Sequence, residues 1–347
     1  LFSQNFTTST DSYNTAVGDS AGQQITTGVQ NTLIGGLAGD ALTAGSDNVA
    51  IGKDALSADT LGSENIAIGK NTLEAQNFTT ATNVYNVAIG SAAGQAMTIG
   101  IQNTLVGGLA GDALTDADLN VAVGIAALTT DTLGSRSVAI GASALETQNF
   151  TTATDTYNTA VGASAGAAVT TAVNNTLIGG LSGDALTTGS NNTTLGKGSL
   201  SAMTTGNSNV AIGISALGSD TLGARNIAIG VGALDTQNFT TATNGYNIAI
   251  GYDAGTAVTT GQRNVIMGGL AGDALTDADD NVAVGTSALS SDTMGSRSVA
   301  IGKEALFAQN FTTATEADNT AVGAFAGNAI TTGVKNTLIG TLAGDAL

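Results

Sequence analysis

Five copies of the pattern Gly-x-Leu-x-Gly-Asp-Ala-Leu, including residues 35–42 and 107–114, each put a carboxylate on a glycine-rich corner. Carboxylate and carbonyl oxygens are the ligands that Ca²⁺ takes, so Asp40, Asp112, Asp184, Asp273 and Asp345 are the candidate metal ligands. The pattern departs from the calcium-binding nonapeptide GGxGxDxUx: the third Gly is absent, and the segment does not recur in tandem every nine residues. A polar corner between strands explains the motif without a metal. The acidic runs 116–118 and 277–280 read in the same way, as solvated loops whose charge keeps molecules apart. No other cofactor is indicated.

A second set of residues could make contacts. The segment Gln-Asn-Phe-Thr-Thr-Ala-Thr begins at Gln76, Gln148, Gln237 and Gln309, with a variant at Gln4, and is often followed by a Tyr. Phe78, Tyr85, Phe150, Tyr157, Phe239 and Tyr246 are therefore candidate partner contacts, because an exposed loop bearing aromatics suits recognition. The competing reading is that these rings plug a widened turn. The Asn-Phe-Thr triplets are formal glycosylation sequons, which chance and duplication explain in a chain so rich in Asn and Thr. A column of regularly spaced Thr raises ice binding, but one strict Thr per turn is half of what a flat lattice-matching face needs. A hydrogen-bonded Thr ladder is the simpler expectation.

Catalysis has little to work with. The 347 residues include no His and no Cys, which removes the commonest general base and the thiol nucleophile. Every remaining candidate is duplicated along the chain, whereas a catalytic pocket needs unique, convergent groups. The expectation is a protein that is not an enzyme. Acidic residues outnumber basic ones 27 to 9, for a net charge of −18, which opposes nucleic acid and anionic membrane surfaces. No apolar run approaches the ~18 residues of a membrane helix, so no membrane insertion is expected of this stretch. The sequence starts and stops inside a repeat, and we expect a fragment of a longer fibrous chain.

The elements that carry these residues are written in the spacing. A five-residue pattern of Asn, β-branched, small, aliphatic and Gly, as in residues 48–52, recurs nineteen times at intervals of 17 or 21 residues. The 21-residue turns carry the Phe-Thr-Thr segment and come every fourth turn, except for one extra turn at residues 192–208. Counting Asn as position one, Gly holds position five throughout and Thr holds position thirteen of each complete 17-residue turn. Gly at fixed places would cost a helix ~1 kcal/mol each. The absence of Pro suits a chain whose backbone N–H groups are needed in a ladder. The pattern predicts an all-β parallel β-solenoid over residues 1–347, one continuous repeat region with two short strands per turn, one at the pentapeptide and one around the Thr. At ~4.8 Å per turn, nineteen turns would span on the order of 90 Å.

Within a turn, the β-branched and aliphatic residues at positions two and four are expected to point inward, with Ala or Leu at positions three and eight offering a second face to partner chains. Asn at position one should ladder along the stack. So thin a core looks marginal alone, since ~1–2 kcal/mol of order is lost per residue, and oligomerisation is expected.

The runs Ser-Val-Ala-Ile-Gly at 137–141 and 298–302, with their Asn-Val-Ala-Ile-Gly relatives, resemble the head repeats of trimeric autotransporter adhesins of the YadA-like type. The Asn-Thr-Ala-Val-Gly and Thr-Thr-Gly repeats at 158–162 and 259–261 are similar to those of phage tail fibres. The resemblance covers essentially the whole chain. It implies a left-handed β-roll, a homotrimer, and an extracellular fibre on a cell or virion surface that meets a host receptor. The adhesin repeat has about fourteen residues per turn, fewer than here, and neck, stalk and membrane anchor are missing from this stretch. The expected function is an adhesin fibre; the alternatives are a tail fibre of the same fold and a purely structural filament or sheath.

Overall fold

A computed structural model describes residues 3–347. The chain forms two compact units, Leu1–Asn174 and Asn175–Leu347. Each is a parallel β-solenoid, and no helix occurs among the described residues. The first unit carries nine three-residue strands at the pentapeptides, from Thr15–Val17 to Thr159–Val161, and the second carries ten, from Thr176–Ile178 to Thr337–Ile339. Within each unit successive rungs pair in parallel and in strict register, as Ala50 with Ala67 and Ala211 with Ala228.

One expectation about these strands is overturned. Position three faces the core and positions two and four face outward: in Val49–Ile51 the Ala is buried and its neighbours are partly exposed. The reason is volume. A 17-residue turn encloses little space, and small residues, mostly Ala, at position eight and commonly at position three, with one or two large side chains per turn, fill it. These are Leu at position nine, as Leu56 and Leu128, an aliphatic at position twelve, as Leu42 and Leu114, and in some turns a large residue at position three as well, as Leu33 and Leu105. Where position three is itself large, position nine is Gly: a Cβ on Gly39 would lie 2.8 Å from a Leu33 methyl and 2.9 Å from a Leu42 methyl. Two β-branched or aliphatic residues per strand could not enter the same space.

The rungs close with polar chemistry. Buried Asn48 donates from Nδ2 to Asn31 Oδ1 (3.2 Å), and its own Oδ1 accepts from the Asn65 amide N–H (2.9 Å) and Nδ2 (3.0 Å). The expected ladder is present, and the Asn that opens a complete 17-residue turn also reaches the carbonyl fourteen residues ahead, as Asn48 to Gly62 (2.9 Å). Gly at position five has φ near +137° at Gly52, where a Cβ would sit 2.3 Å from the carbonyl oxygen of Gly69 on the next turn. Only Gly permits that approach.

The second expected strand is absent. Around position thirteen the chain makes single backbone rungs, as Thr43 N–H to Thr60 O (2.9 Å), reinforced by the Thr43 hydroxyl donating to the same carbonyl (3.0 Å). Tight corners on both sides leave no room for a longer pairing. Two-residue strands form instead at the 21-residue turns, where Gly62–Ser63, Gly134–Ser135, Gly223–Ala224 and Gly295–Ser296 pair with Thr82–Asn83, Thr154–Asp155, Thr243–Asn244 and Thr315–Glu316.

Candidate functional site

Functional side chains concentrate at the 21-residue turns. The four extra residues are held from beneath by a carboxylate that sequence reasoning did not single out. Asp131, fully buried, accepts the Gly134 and Phe150 backbone N–H groups at Oδ1 (3.1 and 3.0 Å) and the Gln148 side-chain amide at Oδ2 (2.5 Å). Gln148 Oε1 in turn accepts from Asn158 Nδ2 (2.9 Å), and its amide also donates to Ser137 Oγ (2.8 Å). The same clasp recurs as Asp59 with Gln76 (2.7 Å), Asp220 with Gln237 (2.6 Å) and Asp292 with Gln309 (2.5 Å).

Three N–H donors stabilise the ionised carboxylate, yet burial outweighs them at Asp220 and pushes its carboxyl above the ordinary value. At 137 and 298, where Ser stands in place of Asn, the Gln amide also donates to the Ser hydroxyl; beside the other two clasps Asn65 and Asn226 keep their places in the ladder. A signal was available, since each insert is preceded by Asp-Thr-Leu/Met-Gly, with the Asp 17 residues before the Gln.

The aromatic candidates separate into two kinds. Phe78, Phe150, Phe239 and Phe311 are 3–7% exposed and plug the widened turn. Tyr85, Tyr157 and Tyr246 stand on the surface, 48%, 55% and 49% exposed. Arg136 lies 5.9 Å from the Tyr157 ring centre and pairs with Asp155 (3.0 Å), whose other oxygen accepts from the Tyr157 hydroxyl (3.4 Å). Arg225 stands 5.7 Å from the Tyr246 ring and donates to its hydroxyl (2.7 Å). At the fourth insert Asp318 takes the Tyr place, and Arg297 pairs with Glu316 (2.7 Å) beside a shallow polar cleft that also includes Arg263, Asp279 and Asp280.

The Gly-Asp-Ala-Leu aspartates do not converge. Among the described residues no three His, Cys, Asp or Glu side chains gather as a set that could hold a metal ion. Burial raises the carboxyls of Asp40, Asp184 and Asp273, and the Asp112 carboxylate accepts a hydrogen bond from Thr129 Oγ1. Part of the motif is core: Ala38 and Leu42 are buried, and Gly39 makes room for Leu33, while Leu37 stands at the surface. The acidic runs tie turns together, Asp118 Oδ1 accepting from the Ile101 N–H (2.8 Å) and Asp279 Oδ1 from the Gln262 N–H (2.7 Å). Thr hydroxyls at position thirteen are engaged along the stack rather than held free for a lattice.

Outward from the strands lies the largest apolar feature. Position four is aliphatic or Met in every rung, and Ile34, Ile89, Ile140, Met267 and Ile301 are each 38% exposed. Nine three-residue strands at ~4.8 Å spacing make a strip on the order of 400 Å² in the first unit, comparable with the largest apolar patches that monomers carry. The chain matches no model of a known protein family, and no curated protein sequence matches it.

Proposed function

We propose that this chain is a segment of an extracellular fibre, a left-handed β-roll in which three copies pack together and display a repetitive surface for attachment, without enzymatic activity. The observation that supports it is the outer strip of positions two and four within each unit: each rung leaves a β-branched residue and an aliphatic one or Met partly exposed, as in Val49–Ile51 and Val210–Ile212. Burying that strip against copies of the same chain supplies the apolar area that the Ala-rich core lacks. This replaces the expected partner face at positions three and eight, whose residues are interior.

The exposed Tyr that follows four of the five inserts, Tyr13, Tyr85, Tyr157 and Tyr246, favours an adhesive fibre over a bare filament. A receptor contact on the host side, at a cell or virion surface, is part of the same reading.

Light scattering tests the assembly. A mass three times 33.7 kDa is expected at micromolar concentration, and Ile89→Lys with Ile140→Lys should shift it to the monomer. A wild-type monomer would overturn the proposal.

A further inference from the structure

One corner of each turn uses the backbone in a way that points to a binding role independent of assembly. The residue just before each Asn of position one has φ between +46° and +63° in all nineteen turns. L-residues reach this left-handed region at a cost, and Gly reaches it freely. The chain has 48 Gly and places one at position five of every turn, yet none of the nineteen corner residues is Gly.

What stands there is a selected set. All four Arg of the chain, Arg136, Arg225, Arg263 and Arg297, occupy this column. So do four of its five Tyr, namely Tyr13, Tyr85, Tyr157 and Tyr246. Two other columns of the turn hold left-handed non-Gly residues, one including Leu37, Ser143 and Asp253 and one a column of buried Leu such as Leu56 and Leu128, and neither holds an Arg or a Tyr. Concentrating the two residue types most enriched at binding hot spots on a conformationally costly column marks it as a recognition ridge.

We infer that the tyrosines of this ridge bind neutral oligosaccharide, one short stretch of sugar at each insert that carries a Tyr. Tyr85, Tyr157 and Tyr246 are about half exposed and Tyr13 more so, and each ring offers a flat apolar surface to the C–H groups of a pyranose. The polar side chain two residues earlier, Asn83 or Asp155, is within hydrogen-bond distance of the Tyr hydroxyl (3.3 and 3.4 Å) and can exchange that bond for a sugar hydroxyl. At Tyr157 and Tyr246 an Arg guanidinium adds donors beside the ring. The spacing argues for a small, repeated ligand. The sites are islands about four turns apart, far smaller individually than the ~800 Å² per partner of a stable protein interface, and repetition raises avidity for a polymer. The charge argues for neutrality, because Arg136 is already paired with Asp155 and the chain carries −18.

The test is binding of the full chain to a printed array of neutral hexose and N-acetylhexosamine oligosaccharides, beside acidic glycans and matrix proteins. The quadruple variants Y13S/Y85S/Y157S/Y246S and Y13F/Y85F/Y157F/Y246F are compared with wild type, and their melting temperatures are read in parallel. Saturable binding to a neutral glycan is expected, at least tenfold weaker in the Ser variant and within threefold of wild type in the Phe variant. No neutral-glycan binding by wild type, an unaltered Ser variant, or binding confined to acidic glycans or proteins would each overturn the inference. Should the Ser variant melt early, the Phe variant and competition by free oligosaccharide against wild type decide it, and absence of competition counts against it.

Discussion

In the turn that starts at Asn209 a single side chain closes the rung. Asn209 donates to Asn192 Oδ1 (3.2 Å) and Gly223 O (3.0 Å), and accepts from the Asn226 N–H (3.0 Å) and amide (3.3 Å). In the next turn, the 21-residue one, Asn226 keeps its place in the ladder and accepts from the Asn247 N–H (3.2 Å), and Gln237 is added beside it, gripped by Asp220 of the turn below and by Asn247 of the turn above. The ladder is self-propagating, because every Asn gives what the next one needs. The extra turn at 192–208 could therefore be added without disturbing it, and Asn192 is bonded like the others. The clasp is a one-off pairing. At the inserts that begin at Gln76, Gln148, Gln237 and Gln309 the four added residues rest on an Asp that stands one turn earlier.

The sharpest way to break both arrangements is to attack the corner that they share. Gly213→Val introduces a Cβ 2.3 Å from Gly230 O at φ +131°, and a loss of at least ~4 kcal/mol is expected in chemical denaturation; an unchanged midpoint would show that the corner relaxes. Asp131→Ala comes next. It strands two backbone N–H groups and the Gln148 amide in the interior, for about 3 kcal/mol, with increased proteolysis at 149–156. Asn209→Ala should cost less, about 2 kcal/mol, and leave the inserts resistant to protease, which separates ladder from clasp.

Acid provides a gentler probe. Burial raises the Asp220 carboxyl, and those of Asp40, Asp184 and Asp273. A carboxyl raised by folding binds its proton more tightly in the native state. Its contribution is therefore complete below the unfolded value and is lost as pH rises through the folded one. Melting temperature should fall as pH rises from about 4 toward neutrality, and Asp220→Asn should flatten that slope; equal slopes would discount the burial. The smallest effect is expected at Arg263→Ala. The exposed Arg263–Asp280 pair (2.7 Å) should contribute no more than ~1 kcal/mol and lose it in salt.

The legible part of the fold was whatever repeats with a fixed geometric requirement. Gly at position five and Asn at position one each answer a demand that recurs identically at every turn, and the spacing of 17 with periodic 21 follows from them. The buried clasp escaped notice because an Asp in an acidic chain reads as surface, and its partner Gln148 lies in a segment that reads as an exposed loop. The Phe and Tyr of the inserts could not be told apart by type, since both are aromatic and both lie near the insertion; burial separates Phe150 from Tyr157.

By itself the sequence determined the period, the parallel stacking and the residues that close each rung, because those depend on local chemistry repeated in register. Only the tertiary structure decided which way the pleat faces. Alternation puts positions two and four on one side and position three on the other, and it is equally satisfied by either choice. The narrow interior broke the tie: Ala50 fits inside and Val49 with Ile51 does not. The apolar strip and the tyrosine ridge are on the surface as a consequence of that volume limit.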